Sequence, residues 1–404
     1  MPLTSSSRDH PLRRRGARRA APLVPYVALV VALLAELPLL SPQPFGRTDA
    51  LLNWYAGHLL ARGGSPHDQA QWVEAVERYG SPVIQSILGL GVAVWPYPPW
   101  TGYLLLPFGA LPVEVGPWAE VFSYALVGVV SSVAYARLLT WRSRAGYALG
   151  LVLLATFQPF VHSVNFGQFG SFLFAGATFV AIGLARRSGL ALAAGTAILF
   201  AKPQLSLGLA LVVIALLVRS RAWRPLVAST VTLAAIAVVA IALHPESLAV
   251  AREALSQRLE YTRASSSTWS LAGALAGDAW LVAGAGVGVL ATLACVAAVA
   301  WSPPALRLWS ALAAGLVASL VWTPIAHSYD QVLLMPAALV IAVASEGARP
   351  LLRATHRLIA VAGVLLLPWA LFIAANSWGT PAPSAAVPLV FAVLLAGSAR
   401  LARS

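Results

Sequence analysis

Residues 48–72, TDALLNWYAGHLLARGGSPHDQAQW, and residues 95–112, WPYPPWTGYLLLPFGALP, bracket the one long polar passage in a chain that is otherwise apolar almost throughout. The passage opens on an acid, Asp49, a few residues beyond a first apolar run, and continues as an amphipathic helical pattern over Ala50 to Leu60. Gly63-Gly64 ends that pattern, and a second acid, Asp68, follows Ser65-Pro66-His67. Tyr97-Pro98-Pro99 then introduces an apolar segment bounded by Pro112, too short to cross a bilayer. Whether that segment crosses or lies flat decides the orientation of everything after it.

Composition sets the class. The 404 residues are 59% hydrophobic and 10% charged, with a mean hydropathy of +0.77, which describes an all-α polytopic membrane protein. The net charge of +13 is dispersed between apolar runs, so it reads as membrane orientation and not as nucleic-acid binding. A single cysteine, Cys295, excludes an intramolecular disulfide and a cysteine metal site. Every basic residue except Lys202 is Arg, the bias of a GC-rich genome, and a bacterial plasma membrane is the expected home.

Working outward, RDHPLRRRGARRA (8–20) belongs to a basic cytoplasmic tail over 1–21. Pro22 to Leu40 reads as a retained first span with Glu36 near its outer end. Trp118–Ala136, Gly146–Val161, Gln168–Ala185, Leu190–Ala201, Leu205–Val218 and Leu226–Leu243 follow, the fourth and fifth a tight pair broken at Lys202-Pro203. Trp280–Trp301, Leu308–Trp322, Val332–Ala344, Leu358–Ala375 and Val387–Ala396 complete a set of about twelve spans. They form one transmembrane domain over 22–398, followed by a cytoplasmic tail over 399–404. If the loop 48–117 stays outside, the close Arg clusters all fall inside; if Tyr97–Pro112 crossed, the clusters downstream of it would face out. The segment is therefore expected as an interfacial helix in the first outer loop, with both termini inside.

With that parity, Asp49, Tyr97, the turn His162–Gln168, Lys202-Pro203-Gln204 and the turn Pro324–Asp330 gather at the outer face, although pairs of spans separate them in the chain. Their order carries a resemblance. Asp49 with Tyr55 six residues on, Tyr97-Pro98-Pro99 leading to Leu105-Leu106-Pro107, Gly167-Gln168, Lys202-Pro203-Gln204 and Thr323-Pro324-Ile325-Ala326-His327 together resemble glycosyltransferase family 87, over roughly Thr48 to Pro336. The resemblance implies a GT-C-like fold and a mannosyltransferase of the cell envelope that uses a polyprenyl phosphate-linked sugar donor. It implies Asp49 as base, inversion at the sugar carbon, and His327 near the donor phosphate.

The residues themselves agree with that chemistry. Displacing a phosphate from an anomeric carbon needs a base for the acceptor hydroxyl, and Asp49 is the best-placed carboxylate. The leaving phosphate is a weak base, so positive charge on its oxygens is what helps, and Lys202, His327 and Arg263 are the candidate donors. Tyr55, Tyr97, Asn165, Gln168, Gln204 and Asp330 are the candidate substrate-binding residues. Each has an ordinary structural alternative. Asp49, Asp68, Asn165, Gln168 and Asp330 suit helix caps, Lys202 suits snorkelling, and Trp269 suits an interfacial aromatic belt. The acids and histidines are dispersed in sequence, so neither a metal nor another cofactor is expected. Short outer loops suggest a membrane-bound acceptor, a glycolipid or lipid-anchored glycan, with membrane lipids as the remaining partners. The competing class is a transporter or carrier flippase, against which stand the interfacial position of the polar groups and the lack of a half-repeat.

Overall fold

The structure, a computed structural model, describes residues 49–79, 95–139, 154–256, 262, 265–344 and 350–403. The basic tail, the first span with Glu36, residues 146–153 of the third expected span, and Arg263 lie outside the described residues. Among the described residues every regular element is helical and none is a strand.

The first loop supplies α1 (Asp49–Ala61), α2 (Gln69–Tyr79), and two one-turn helices, α3 (Pro99–Tyr103) and α4 (Leu106–Gly109). The bundle follows as α5 (Gly116–Leu138), α6 (Gln158–Phe166), α7 (Gly170–Arg186), α8 (Gly189–Leu199), α9 (Leu207–Arg219) and α10 (Trp223–Leu243). Then come α11 (Ser247–Ser256), α12 (Thr268–Ala276), α13 (Trp280–Trp301), α14 (Pro304–Trp322) and α15 (Met335–Ala344). The last are α16 (Pro350–Val361), α17 (Leu367–Trp378) and α18 (Val387–Arg403). Among the described residues, six stretches are long and apolar enough to span a membrane: Gly116–Leu138, Trp223–Leu243, Thr268–Trp301, Pro304–Trp322, Pro350–Trp378 and Ala382–Arg403. Four shorter apolar helices, Gly170–Arg186, Gly189–Leu199, Leu207–Arg219 and Ser328–Ala344, stand where spans were also expected.

Local chemistry explains the boundaries. Prolines at the first positions of α3, α5, α6 and α14 cost no hydrogen bond, because those N–H groups have no partner within a helix. Gly167 and Gly379 close α6 and α17 in the left-handed conformation, at φ 65° and 64°. The expected interfacial helix at Tyr97–Pro112 is the pair α3 and α4, and no span forms there. One expectation is corrected. His162 to Phe166 is helix and not turn, because Pro159 starts a helix that only Gly167 stops. Between the expected spans Leu226–Leu243 and Trp280–Trp301 lies a further apolar helix, α12, which its capping Ser267 starts and which runs into α13 through a 3-10 turn at Gly277–Ala279.

The core lies where α5, α7, α14 and the 328–344 segment meet, with Tyr124, Phe169, Phe174, Leu316 and Leu333 fully buried. The outer helices show the opposite pattern. On α10, Val227, Val231, Val238 and Val239 are exposed, as a helix bathed in lipid requires. Apolar residues thus cover both core and surface, and buried polar groups are what distinguish one end of the bundle.

Candidate active site

That end is built from helix termini. The first residues of α1, α5, α7 and α9 converge there with the last residues of α6, α8 and α14, so chain reversals from five parts of the sequence meet at one level. Buried among them are Lys202, Gln168, Asn53, Glu120 and Asp330.

Lys202 is placed by what stops α8. Pro203 prevents the helix from continuing, which leaves the carbonyls of Phe200 and Ala201 without helical partners. Two side chains of α3 satisfy them: Trp100 Nε1 donates to Phe200 O at 3.2 Å and Thr101 Oγ1 to Ala201 O at 3.3 Å. The Tyr97-Pro98-Pro99 segment is thereby docked on the lysine turn. Its backbone is held from the other side, where His67 Nε2 lies 2.8 Å from Tyr97 O.

Asp330 sits in the 3-10 helix Ser328–Leu334 after α14. Its Oδ2 accepts from His327 N at 3.0 Å, the cap expected of it, and its Oδ1 accepts from Lys202 Nζ at 2.9 Å. Both side chains of this ion pair are almost fully buried, so Lys202 does not snorkel to solvent. Burial opposes the ammonium's charge, but Asp330 and Tyr97 outweigh it and hold the lysine above its ordinary range. The ammonium also lies 5.2 Å from the Tyr97 ring centroid and 5.1 Å from that of Tyr329.

Gln168 joins this pair to Asp49. Its Oε1 accepts from Lys202 Nζ at 3.1 Å and from Tyr97 Oη at 3.3 Å, while its Nε2 donates to Asp49 Oδ2. The amide has one orientation only. An ammonium has no lone pair, so the oxygen must face Lys202, which points the NH₂ group at Asp49. Gly167 makes the approach possible: a Cβ there would fall 2.3 Å from Ala50 Cβ, next to Asp49. Burial raises the Asp49 carboxyl above its ordinary value, although the Gln168 bond and Lys202 pull the other way. His327 stacks on Tyr329 at 5.0 Å, and burial lowers its imidazole, with Asp330 opposing that shift and Lys202 adding to it.

The structure therefore brings Asp49, Tyr97, Gln168, Lys202, His327 and Asp330 together. It does not bring in the others. Tyr55 packs between Trp54 and Trp72 in the core under the loop. Asn165 is buried in α6, its Oδ1 without a hydrogen-bond partner among the described residues, and Gln204 is half-buried in the 3-10 turn beyond Lys202. Asp68 caps α2 by accepting from Gln71 N at 3.0 Å, as expected of a turn residue. Trp269 joins Trp280 and Trp322 in an aromatic cluster.

Sequence reasoning missed Glu120 and Asn53. Asn53, one turn along α1 from Asp49, donates to Glu120 Oε1 at 3.0 Å and to Gly167 O at 2.9 Å. Glu120 also accepts from Tyr124 Oη, and its second oxygen has no hydrogen-bond partner among the described residues. The signal was present: an acid one turn inside an apolar span is rarely idle. Ser265 to Ser267, just before α12, also lie at this end. They pin the second loop beside His327, with Ser266 N donating to Ala326 O at 2.6 Å.

Residues 95–324 match the family model of glycosyltransferase family 87, more than half of the chain. Comparison with curated proteins and with solved structures gave no match.

Proposed function

The chain belongs to glycosyltransferase family 87, and from that membership we propose that this membrane glycosyltransferase moves mannose from a polyprenyl phosphate donor to a membrane-bound acceptor. The observation that carries the reading is the series Asp49–Gln168–Lys202–Asp330, half-buried at Asp49 and buried beyond it, which sets a carboxylate and an ammonium on opposite edges of one amide. A displacement at an anomeric carbon needs that polarity. The acceptor hydroxyl gives its proton to Asp49 as its oxygen bonds to C1; the C1–O bond to phosphate breaks, and the electron pair leaves with the phosphate. Attack opposite the leaving group inverts the sugar carbon. Lys202 and His327 stand on the phosphate side, where charge accumulates, and Arg263 is proposed to join them from the second loop.

Gln168 fixes the Asp49 carboxylate through one hydrogen bond and leaves its other oxygen for the acceptor. Tyr97 and Asp330 hold the lysine, so the cation is in place before the donor arrives and reorganises little during transfer. The site lies at the helix ends opposite those carrying Arg137, Arg186, Arg187, Arg219 and Arg224, which supports an extracytoplasmic active site with both termini inside. A glycolipid or lipid-anchored glycan is the acceptor that suits a site at a membrane face.

The test is transfer of radiolabel from polyprenyl phosphomannose to membrane glycolipids by purified protein in nanodiscs, with Asp49→Asn beside the wild type. The expected result is a labelled lipid that falls about 10²–10⁴-fold in the variant, the usual worth of a general base. Undiminished transfer by Asp49→Asn removes Asp49 from the role. Lipid movement across the membrane without any transfer would favour a flippase.

A further inference from the structure

Between Phe157 and Gly170 nearly every side chain is buried, and Phe166 is the exception, with 37% of its surface exposed. It precedes the Gly167–Gln168 turn, so it stands at the rim of the site beside the start of α1. Its ring is held from behind. His162, one turn earlier on α6, packs edge-on against it at 4.5 Å and against Tyr329 at 5.6 Å, and is braced by Phe372 of α17 at 4.8 Å. His162 is itself fixed, its Nδ1 lying 2.7 Å from Ser328 Oγ. The Phe166 and Tyr329 rings are tilted by only 28° at 6.4 Å, and His327 stacks on Tyr329 at the same 28° tilt. A ladder of near-parallel rings thus runs from the exposed Phe166 to Tyr329, whose centroid is 5.1 Å from the Lys202 ammonium.

We infer that Phe166, backed by Tyr329 and His162, is a stacking platform for the apolar face of a pyranose ring at the mouth of the transfer site. This rests on the reading of the site as the place of sugar transfer. A pyranose presents C–H groups on one face and hydroxyls at its edge, and the negative face of an aromatic ring takes such C–H groups while leaving the hydroxyls to polar neighbours. The ring ladder fits that need: it is apolar at its exposed end and polar towards Lys202 and His327. The pyranose is the donor's sugar or a sugar of the acceptor, and both would bring the same face.

The experiment compares Phe166→Leu, which keeps an apolar side chain for lipid but removes the π face, with Phe166→Tyr, which keeps the face. Transfer kinetics are measured with donor and acceptor varied separately. Phe166→Leu is expected to raise one KM by about 3- to 10-fold, with kcat within about 2-fold, and Phe166→Tyr to restore it. The substrate whose KM moves identifies the ring that stacks. Both KM values unchanged, or an equal defect in the two variants, overturns the platform and leaves Phe166 as a lipid contact. A second arm needs no transfer and so separates this inference from the donor assignment. Saturation-transfer NMR with methyl α-mannopyranoside is expected to give ring C–H signals with the wild type that weaken with Phe166→Leu. Signals absent from the wild type, or unchanged in the variant, also overturn it.

Discussion

A base works only when ionised, and Asp49 is held where ionisation is costly. Burial raises its carboxyl above the ordinary value of 3.8, partly offset by Gln168 and Lys202. If Asp49 takes the acceptor proton, kcat/KM falls as pH drops through this raised value, and the acidic limb lies above 3.8. A pH–rate profile tests this; a limb below 3.8, or one unchanged in a Gln168→Ala variant, argues that another group is the base. The effect on stability has the opposite sense. A raised folded value means the native state prefers the protonated acid, so its contribution is full below 3.8 and is lost as pH rises through the folded value. Asp49→Asn should therefore melt no lower than the wild type at neutral pH while losing transfer. Glu120 supports this arrangement through Asn53 and Gly167 O, so its replacement acts on geometry. Glu120→Gln keeps an acceptor for Asn53 and Tyr124 and should retain most activity. Glu120→Ala leaves two buried donors unmet, at about 1–3 kcal/mol each, and should lower both Tm and kcat in parallel assays. Lys202 was legible in the sequence as the lone lysine among arginines, and Asp49 by its place after the first apolar run. Glu120 was not, because its role depends on Asn53, a residue of another helix far from it in the chain. The Lys202–Asp330 pairing was equally invisible, since more than a hundred residues separate the two partners.

Between those partners the spacing is set by two helices. α9 begins just after the lysine turn and α14 ends just before the Asp330 turn, and they cross where Gly208 meets Gly315. A Cβ on Gly208 would lie 2.6 Å from Gly315 O and 2.8 Å from Ser319 N, both backbone atoms that side-chain rotation cannot move. Leu209 N donates to Ser319 Oγ at 3.2 Å across the same crossing. Close approach through small residues is how helices associate where lipid removes the hydrophobic drive. Gly208→Val should therefore push α9 from α14 and pull Lys202 from Asp330. Separating a buried ion pair costs about 3–5 kcal/mol, on top of about 1–3 kcal/mol for overpacking. Scanning fluorimetry in detergent should show a large fall in Tm, while Gly286→Ala, where a Cβ meets nothing within 4 Å, should show none. An equal response at both positions would mean that helix propensity, not the crossing, is being measured. The six long spans among the described residues were legible because apolar length is a strong signal, and the break at Lys202-Pro203 because proline stops a helix. The helix over His162–Phe166 was not, since its polar residues imitate a turn, and only Pro159 and Gly167 mark its ends. Nor was α12, whose polar Ser265–Ser267 approach masked a helix of small apolar residues.

At the scale of the molecule, several bundle helices have one end at the site and arginine at the other. The start of α5 lies at the site and its last turn holds Arg137; α7 starts beside Gln168 and ends at Arg186; α9 starts after Lys202 and ends at Arg219. α14 reverses the order, carrying Arg307 near its start and reaching the site at Trp322, while α18 runs in the first sense, starting near the site and carrying Arg400 and Arg403 in its last turn. If the arginines stay on the cytoplasmic side, as the cost of translocating them favours, the site end faces out. The arrangement requires that Tyr97–Pro112 not cross, and the one-turn helices α3, docked on the lysine turn, and α4, packed on α1, meet that requirement. Cysteine labelling in intact cells tests the orientation directly. Cys295 is buried, so Cys295→Ser gives a clean background. Glu114→Cys, exposed at the site end, should react with a membrane-impermeant maleimide, while Ser220→Cys, exposed at the arginine end, should react only after the cells are opened. The reverse pattern would place transfer on the cytoplasmic face, where a nucleotide-linked sugar becomes the natural donor, and Lys202 would then have a diphosphate to neutralise instead of a lipid monophosphate. Sidedness and donor chemistry stand or fall together, because a polyprenyl carrier is needed only where soluble activated sugars are absent.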